Sequence, residues 1–387
     1  MLLSWTIPPT ISGSSYITHQ LLNALPTDLI LPVGGGKPFL QYPDHYQNIR
    51  YRYLPTEWSI NGMGARFFSP IRWLSFPFVL FRLWMICRKQ AVDKVLAVFP
   101  DGYFLLLGLF ISSRLRVPFY TYFHNTYVDN RKGINKWFAK KIQAMAFQKS
   151  VRIFTMSEGM DAYYKQQYPD LENKFVVLPH SHTTKTQSKK RPPLSAIHFP
   201  LRCVLIGTIN QSNLDATRRV LSLVANHPEE FNLDIYSPSN QQLLQLKYKL
   251  PLDQPGINHC GSIAQEEIDH VLPQYDVCVL THGFTGDYTP VEYQTIFPTR
   301  SVPLFASGVP LLVHSPPNSF LTDFIRKYDC GELVSIPSED QLLMALRHLR
   351  DDHSRRLQLQ INQMTASNYF HSDRIASILK MHIQLEH

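Results

Sequence analysis

The sequence lacks the features that mark several large classes of protein. Five cysteines are scattered through 387 residues, without a CxxC pair or a metal-ligand spacing. An odd, dispersed set of cysteines argues against a disulfide framework and for a reducing compartment. A dinucleotide fingerprint of the GxGxxG type, internal repeats and low-complexity tracts are also missing. We therefore expect a cytoplasmic globular protein whose cysteines, Cys87, Cys203, Cys260, Cys278 and Cys330, are unpaired.

The chain also lacks an apolar run long enough to span a membrane. The apolar segment Trp73–Cys87 contains Pro77 and Arg82 and falls short of the roughly 20 residues that a spanning helix needs. We interpret it as a buried helix. The alternative is a basic, apolar surface resting peripherally on the inner face of a membrane. The opening residues Met1–Thr10 predict a buried strand rather than a signal peptide.

Acidic residues are fewer than basic ones, 30 against 38, which gives a net charge of +8. Such a balance favours anionic partners: phosphates, acidic glycans, nucleic acid or an anionic membrane. Aromatic and basic residues are not interleaved as in a known nucleic-acid module, so we expect no nucleic-acid partner. The length predicts two domains of roughly 150–200 residues each.

Strand and helix patterns alternate twice along the chain, which predicts two parallel sheets built from βαβ units. The predicted strands of the first half are Leu2–Ile7, Asp28–Val33 running into Gly34–Gly36, Asn48–Leu54, Asp93–Phe99, Pro118–Phe123, Val151–Met156 and Phe175–Leu178. Those of the second half are Arg202–Ile206, Phe231–Tyr236, Gly256–Cys260, Tyr275–Leu280 and Pro310–His314.

A polar, basic and proline-containing stretch separates the two halves, as a linker would. The sequence therefore predicts an N-terminal Rossmann-like domain over 1–182, a linker over 183–200 and a C-terminal Rossmann-like domain over 201–365. A last helical segment follows over 366–387.

Ligands of such sheets bind beyond the carboxyl ends of the strands, so residues that directly follow strands are the candidates. Gly13, Ser14 and Ser15 open a helix after the first strand, where backbone N–H groups favour an anion. An ordinary turn with a serine cap is the alternative. His124 and His180 each follow a strand and are candidates for contact with a sugar or for proton transfer.

The second half offers a similar set. Gly207 and Thr208 follow its first strand, where a glycine lets a phosphate approach the backbone. Arg218 and Arg219, on the next helix, either add charge to the site or are solvated surface arginines. Further along, a polar loop that contains Arg300 leads into a helix of small and apolar residues. Arg300 and the N-terminus of this helix could both hold a diphosphate.

These segments resemble the retaining glycosyltransferases of the GT-B fold, especially the large family-four group. The resemblance lies in IFTMSEGMDAYY, LIGTI, FPTRSVPLFASGVPLLVHSPPNS and CGELV, in this order. It implies two Rossmann-like α/β domains facing a cleft. It further implies that the C-terminal half binds a nucleotide-diphosphate sugar as co-substrate, and we expect no other cofactor. No carboxylate pair stands at a predicted strand end as a metal clamp would, so we also expect no metal. By the same resemblance the N-terminal half would bind the acceptor, a glycan or a lipid-linked saccharide, and the last helical segment would cross back to the first domain.

The resemblance and the strand ends together assign the site residues. The catalytic candidates are His124 and Arg300. The donor-binding candidates are Gly207, Thr208, Glu292, Phe297, Pro298 and Thr299. The acceptor-binding candidates are Gly13, Ser14, Ser15 and His180.

The sequence departs from the family at two places. The family has two glutamates eight positions apart, and this chain has Thr295 and Pro303 there. We hypothesise that Glu292 or Asp287 takes over part of the ribose contact. Two other functions remain open: a nucleotide-sugar-binding protein with a decayed catalytic site, and a nucleotide-sugar epimerase.

Overall fold

The structure, a computed structural model, describes residues 1–10, 12–26, 28–58, 65–98, 101–129, 131–182 and 197–384. Its contacts divide the chain into two compact units. The first unit comprises Met1–Thr183 and Ser372–His387, and the second comprises Thr184–His371. Most of the predicted linker lies outside the described residues.

The first unit is built on a parallel sheet of seven strands in the order β5-β2-β1-β6-β7-β8-β9. Its inner strands are short and almost wholly buried, as expected for a parallel sheet covered on both faces, whereas the two edge strands are only partly buried. The strands are β1 (Leu2–Ser4), β2 (Pro32–Gly36), the hairpin strands β3 (His45–Tyr46) and β4 (Ile49–Arg50), β5 (Arg52–Pro55), β6 (Val95–Val98), β7 (Phe119–Phe123), β8 (Arg152–Thr155) and β9 (Phe175–Val177).

Six helices connect these strands. Serine or aspartate caps start three of them: the side chains of Ser12, Asp101 and Ser157 accept N–H groups of the first turn at 3.0–3.1 Å. The helices are α1 (Gly13–Asn23), α2 (Ala65–Leu74), α3 (Phe76–Lys89), α4 (Gly102–Leu115), α5 (Gly133–Lys149) and α6 (Glu158–Gln167).

The second unit repeats the architecture with six parallel strands in the order β12-β11-β10-β13-β14-β15. Its main core cluster packs alternate, mostly aliphatic residues of the strands against helices on one face of the sheet. The strands are β10 (Leu201–Ile206), β11 (Phe231–Tyr236), β12 (Ile257–Gly261), β13 (Val277–Thr281), β14 (Leu311–His314) and β15 (Glu332–Val334). The helices are α7 (Leu214–Asn226), α8 (Gln241–Tyr248), α9 (Gln265–Val271), α10 (Pro290–Thr295), α11 (Ser301–Ser307), α12 (Phe320–Tyr328), α13 (Glu339–Asp351) and α14 (His353–Ser367).

Two doubly wound α/β domains are therefore present, and the predicted fold class is confirmed. The last helix, α15 (Ser372–Ile383), belongs to the first unit and packs against α1. The backbone N–H of Ser372, at the start of α15, donates to the carbonyl of His182 (3.2 Å). This hydrogen bond joins the last helix to the end of the N-terminal segment Met1–Thr183 of the same unit.

The second strand differs from its prediction. It runs over Pro32–Gly36 rather than Asp28–Val33, and includes all three glycines. Glycine usually weakens a strand, but here close packing requires it. A Cβ on Gly34 would lie 2.5 Å from the side chain of Ile7, and one on Gly35 would lie 2.9 Å from the carbonyl oxygen of Trp5. The glycines therefore leave room for Trp5 and Ile7, which follow β1, to pack against this strand.

The apolar segment before β6 also differs from its prediction as a buried helix. In α3 the residues Val79, Leu83 and Cys87 face the core, whereas Phe78 and Phe81 are exposed. Within the described part of the chain, no helix is both long and apolar enough to cross a membrane.

We predict that Gly35→Ala lowers the free energy of unfolding by about 1–3 kcal/mol, because the added methyl group meets a backbone oxygen that cannot move freely. Chemical denaturation measures the change. Ser113→Ala, at an exposed position of α4, is the control and should change stability by less than about 0.5 kcal/mol. Equal stability of the two variants would contradict the packing argument.

Candidate functional site

In each unit the strand order reverses beside the first strand, and this reversal defines where a ligand can enter. The connection after β1 runs to β2 on one side, whereas the connection after β6, the other neighbour of β1, runs to β7 in the opposite direction. In the second unit the connection after β10 runs to β11, whereas that after its neighbour β13 runs to β14. The loops at the carboxyl ends of these strands diverge there and open a crevice.

Arg300 occupies the crevice of the second unit. Its Nη1 donates to the carbonyl of Thr208, which follows β10, and its Nη2 donates to the carbonyl of Thr281, which ends β13 (both 2.9 Å). The guanidinium thus bridges the two strands at which the order reverses. Burial lowers its pKa to about 10, so it remains cationic at neutral pH.

The loop after β10 fits closely around this arginine. Gly207 has φ +102°, in the region that favours glycine, and a Cβ there would lie 3.2 Å from Cδ of Arg300. The carbonyl of Thr208 also accepts from Nδ2 of Asn213 (3.3 Å). Gly207 and Thr208, both predicted from the sequence, therefore contact or hold Arg300.

The guanidinium retains hydrogen-bonding capacity. It has five N–H donors, of which the two carbonyls take one each, and its Nε has no partner among the described residues. A cation with spare donors at this place is suited to bind phosphate oxygens.

The N-terminus of the helix that follows Arg300 contributes less to anion binding than the sequence suggests. The N–H groups of Ser301 and Val302 donate to the carbonyls of Pro298 and Thr299 (3.0 and 3.3 Å), and Pro303 has no N–H. The first turn of α11 is thus occupied by bonds within its own turn. Arg300 itself carries the positive charge here, which corrects the expectation that the helix N-terminus shares this role.

The prediction that the side chain of Phe297 binds the donor needs a correction as well. Its ring is buried and stacks on Phe370 at a centroid distance of 5.2 Å, with Phe320 and Phe324 edge-on at 5.6 and 5.2 Å. The ring belongs to an aromatic cluster of the core and is 3% exposed, so it supports the loop from within the core. Pro298 and Thr299 are half-buried beside Arg300.

The positions of the two family glutamates hold no carboxylate. Thr295 is buried, with its Oγ1 donating to the carbonyl of Val291 (2.8 Å), and Pro303 is buried in α11. Glu292 lies in the first turn of α10 and is 5% exposed. Burial raises the pKa of Tyr288, and the nearby Glu292 carboxylate raises it further.

Sequence reasoning missed a network next to Arg300. Asp215, on α7, accepts the N–H of Phe284 (3.1 Å) and pairs with Arg219 (2.9 Å). Nε of Arg219 donates to Nε2 of the buried His314 (2.9 Å), whose Nδ1 donates to the carbonyl of Val334 (2.9 Å). Arg219 is therefore an internal residue that fixes the loop after β13.

Arg218, its neighbour, is exposed and donates to the carbonyl of Tyr248 (2.9 Å). Of the two arginines that the sequence left open, Arg219 belongs to the crevice of the second unit and Arg218 to the surface.

In the first unit, Ser14 and His124 are brought together. Nε2 of His124 lies 3.1 Å from Oγ of Ser14. His124 is 2% exposed. Burial lowers its pKa well below 6.5, and the proximity of His180 lowers it further, so the imidazole is neutral at physiological pH.

His180 stands out because neither of its ring nitrogens has a hydrogen-bond partner within the described residues, although it is only 4% exposed. Burial lowers its pKa to about 3. Buried polar groups are usually paired, so His180 has unused capacity near His124. Ser15 donates its N–H to the Ser12 cap and Gly13 is exposed.

A charged cluster at the strand ends of the first unit was also missed. Arg72, on α2, donates through both Nη atoms to Asp101, which follows β6 (3.2 and 3.0 Å). Its Nη2 also lies 3.7 Å from Oε1 of Glu57, which follows β5 and accepts the indole N–H of Trp5 (2.8 Å). The guanidinium carbon is 4.6 Å from the ring centre of Tyr103.

The carboxyl of Glu57 is perturbed by this setting. Burial raises its pKa above the usual range, opposed by Arg72 and by the hydrogen bond from Trp5. The clue in the sequence was position, since Trp5, Glu57 and Asp101 each follow a strand. The prediction placed Trp5 inside the first strand, which in fact ends at Ser4.

Among the described residues, one group has the geometry to hold a metal ion: His227, Glu229 and Glu230 in the second unit. Glu230 already pairs with Arg347 and Arg350, and these three residues follow α7 rather than a strand. The group is therefore not part of either crevice.

No protein-family model and no curated protein sequence matches the chain. Solved structures do match over the whole length. A sucrose-phosphate synthase from Thermosynechococcus elongatus has a TM-score of 0.71 at 13% identity, covering 99% of this chain and 98% of the other. Anabaena HepE in complex with UDP has a TM-score of 0.66 at 12% identity, with coverages of 99% and 98%.

An α,α-trehalose-phosphate synthase (UDP-forming) from Burkholderia xenovorans, solved with glucose-6-phosphate, has a TM-score of 0.67 at 9% identity and covers 99% of both chains. At such low identity the likeness shows the fold. The chain has the two-domain fold of these synthases, which is the GT-B fold that the sequence predicted.

We predict that acid destabilises the protein before its carboxylates titrate. Burial lowers the pKa of His180 to about 3 and those of His282 and His314 to about 4, whereas unfolded histidines titrate near 6.5. The unfolded state therefore binds more protons as the pH falls from about 6.5 to 4, and stability is lost across this window. Each buried histidine contributes up to about 1.4 kcal/mol per pH unit.

Urea denaturation between pH 7.5 and 4.5 measures this slope. His180→Asn removes one titrating group without removing a hydrogen bond, and it should flatten the curve. His45→Asn, at an exposed position, is the matched control and should not. A wild-type stability that stays constant from pH 6.5 to 4.5 would contradict the prediction.

Proposed function

We propose that this chain is a glycosyltransferase that moves a sugar from a nucleotide-diphosphate sugar to a hydroxyl acceptor. The observation that carries the proposal is the position of Arg300, whose guanidinium joins the carbonyls of Thr208 and Thr281 at the strand reversal of the second unit. A fixed cation there, with donors to spare, is placed where α/β sheets bind ligands. The solved structures of similar fold include Anabaena HepE in complex with UDP and a UDP-forming α,α-trehalose-phosphate synthase.

In the proposed reaction Arg300 holds the diphosphate and stabilises the negative charge that develops as the sugar leaves. A single preorganised donor of this kind is worth about 2.7–4 kcal/mol in other enzymes. Gly207 lets the diphosphate approach the backbone beside the arginine. Glu292 is the proposed substitute for the missing ribose-binding glutamate.

On the acceptor side we propose the crevice of the first unit. His124, with Ser14, and the unpaired His180 supply neutral hydrogen-bonding groups suited to sugar hydroxyls. Glu57 supplies a carboxylate with a raised pKa, and Trp5 an aromatic surface. Such combinations of aromatic and polar groups are typical of sites for small polar ligands.

The finer parts of the proposal are supported by the family resemblance and by the composition and residue pattern of the sequence. We propose retention at the anomeric carbon, no metal requirement, and a glycan or lipid-linked saccharide as acceptor. We also propose a cytoplasmic location at the inner face of a membrane, with which the five free cysteines agree. Activity abolished by EDTA would contradict metal independence.

One observation favours a second candidate, a nucleotide-sugar-binding protein without turnover. Thr295 and Pro303 replace both family glutamates, and both are buried. This candidate predicts donor binding without release of free nucleotide.

We predict that Arg300→Met weakens binding of the nucleotide sugar and lowers turnover by about 100-fold or more. A thermal-shift screen against UDP, GDP, ADP and TDP sugars first identifies the donor, and calorimetry and nucleotide release then measure the effect. Arg300→Lys should be intermediate, because an ammonium keeps the charge but cannot bridge two carbonyls as a planar fork does.

The matched control is Arg218→Met, an exposed arginine of the same unit, which should bind donor as the wild type does. Failure of the wild type to bind any of these donors would refute the proposal. Binding without nucleotide release would select the second candidate. Equal donor affinity of Arg300→Met and the control would refute the role of Arg300.

We predict that Glu57→Gln impairs transfer to the acceptor without changing donor binding. Gln keeps the hydrogen bond from Trp5 but loses the charge, so donor affinity should be unchanged while kcat/KM for transfer falls about 10-fold or more. Radiolabelled donor, offered with glucose 6-phosphate, with oligosaccharides or with a polyprenyl-linked saccharide, measures transfer. A loss of donor affinity, or unchanged transfer, would contradict the assignment.

A further inference from the structure

The four helices α2, α3, α4 and α5 carry charge of one sign. Together they contain ten Lys and Arg residues and no Asp or Glu. The net charge of the whole chain is +8, so these helices hold all of its excess positive charge. The basic residues are Arg66, Arg72, Arg82, Arg88, Lys89, Arg114, Lys136, Lys140, Lys141 and Lys149.

The helix α3 has two apolar faces. Val79, Leu83 and Cys87, spaced four apart, are buried against the core. Phe78, Phe81 and Met85 are exposed by 62%, 53% and 50%, and their spacing of three and four puts them on one stripe. A helix on the surface of a protein in water normally presents polar residues there.

The helix α5 repeats this arrangement. Ile134, Trp137 and Phe138 are exposed by 71%, 52% and 52%, and Met145 by 41%. Lys141 lies in the same stripe, with its Nζ 3.7 Å from the ring centre of Trp137. Aromatic side chains interleaved with lysines are typical of segments at a membrane interface.

The two stripes lie on the same face of the sheet. The helix α4 packs between α3 and α5 and contacts both. Its exposed Phe110 lies 5.9 Å from the ring of Phe76, and its Arg114 lies 5.5 Å from the ring of Trp84. We name the exposed face of α2 to α5 the basic aromatic face.

We propose that the basic aromatic face docks the protein on an anionic lipid bilayer. The aromatic and aliphatic side chains would enter the boundary between headgroups and acyl chains, and the exposed basic residues of α3, α4 and α5 would meet the lipid phosphates. Arg72 is not among these, because it pairs with Asp101 and Glu57. A bilayer with negative headgroups matches both the apolar stripes and the absence of acidic side chains from these helices. The helix α3 has 14 residues, so it lies on the membrane and does not cross it.

The face adjoins the crevice of the first unit through α2. Ile71 and Trp73 are exposed by 40% and 45%, while Arg72 between them reaches Asp101 and Glu57 at the strand ends. If the proposed glycosyl transfer holds, an acceptor embedded in lipid is presented beside those strand ends. The docking itself does not depend on that reaction.

Vesicle co-sedimentation of the full-length protein tests the proposal without donor or acceptor. We expect binding to vesicles of phosphatidylcholine and phosphatidylglycerol in equal parts, little binding to pure phosphatidylcholine, and weaker binding as salt is added. A failure of glycosyl transfer leaves this result untouched, so the two proposals fail separately.

Paired variants assign the surface. The double variant Phe78→Ser with Phe81→Ser should lower vesicle affinity at least about tenfold. Each phenylalanine side chain that enters the bilayer contributes that much affinity or more. Leu243→Ser with Leu246→Ser, at exposed positions of α8, is the matched control and should bind as the wild type does. Lys136→Glu with Lys140→Glu should lower binding to anionic vesicles, whereas Lys247→Glu with Lys249→Glu should not.

All four pairs lie on the surface, and circular dichroism confirms that each variant folds. Wild-type protein that does not bind anionic vesicles would overturn the proposal. Equal losses of vesicle affinity in the double variant of α3 and in that of α8 would overturn the assignment of the face. A concentration-dependent dimer that the α3 pair abolishes, without vesicle binding, would show that a second copy of the chain covers the face instead.

Discussion

The reversal of strand order beside β1 and β10 is the constraint on which the sites depend. A parallel sheet brings all its carboxyl ends to one edge, and only where neighbouring connections diverge does that edge open. In the second unit Arg300 lies in this gap and donates a hydrogen bond to one backbone carbonyl on each side. The loops after β10 and β13 are then joined through a charged side chain rather than through direct contact, and further bonds from Asp215 and Asn213 hold their geometry.

The first unit solves the same problem with different chemistry. Its loops after β5 and β6 are joined by Arg72, which pairs with Glu57 and Asp101. Here the arginine is neutralised by carboxylates, whereas Arg300 is held by uncharged carbonyls and keeps its net charge. The crevice of the second unit is thus suited to an anion, and that of the first to hydroxyl groups. This contrast favours a division between donor and acceptor that rests on electrostatics.

Much of the fold was predictable because buried parallel strands are short apolar runs. The strands predicted over Pro118–Phe123 and Arg202–Ile206 differ from the observed ones by one residue at the first end. Errors arose where tertiary packing overrides local pattern. The strand Pro32–Gly36 contains three glycines because Ile7 and Trp5 press against it, and α10 lies in a stretch that was predicted as loop.

The site was predictable in part for the same reason. Gly207, Thr208 and Arg300 were found because they follow strands or adjoin the resembling motif. The partners of Arg300 were not, since they lie 92 and 19 positions away and are backbone atoms, which no side-chain pattern records. The ring of Phe297 was misassigned because a motif position does not reveal whether its side chain faces ligand or core. The exposed stripe of α3 was predicted only as the alternative, because an apolar run predicts burial by default.

The return of α15 to the first unit has a consequence for how the chain is made. Residues Ser372–His387 complete a unit whose other part ends at Thr183. The ribosome therefore releases all of the second unit before the last helix of the first can bind α1. During synthesis the second unit can fold on its own, while part of α1 stays uncovered until Ser372–Ile383 has been made.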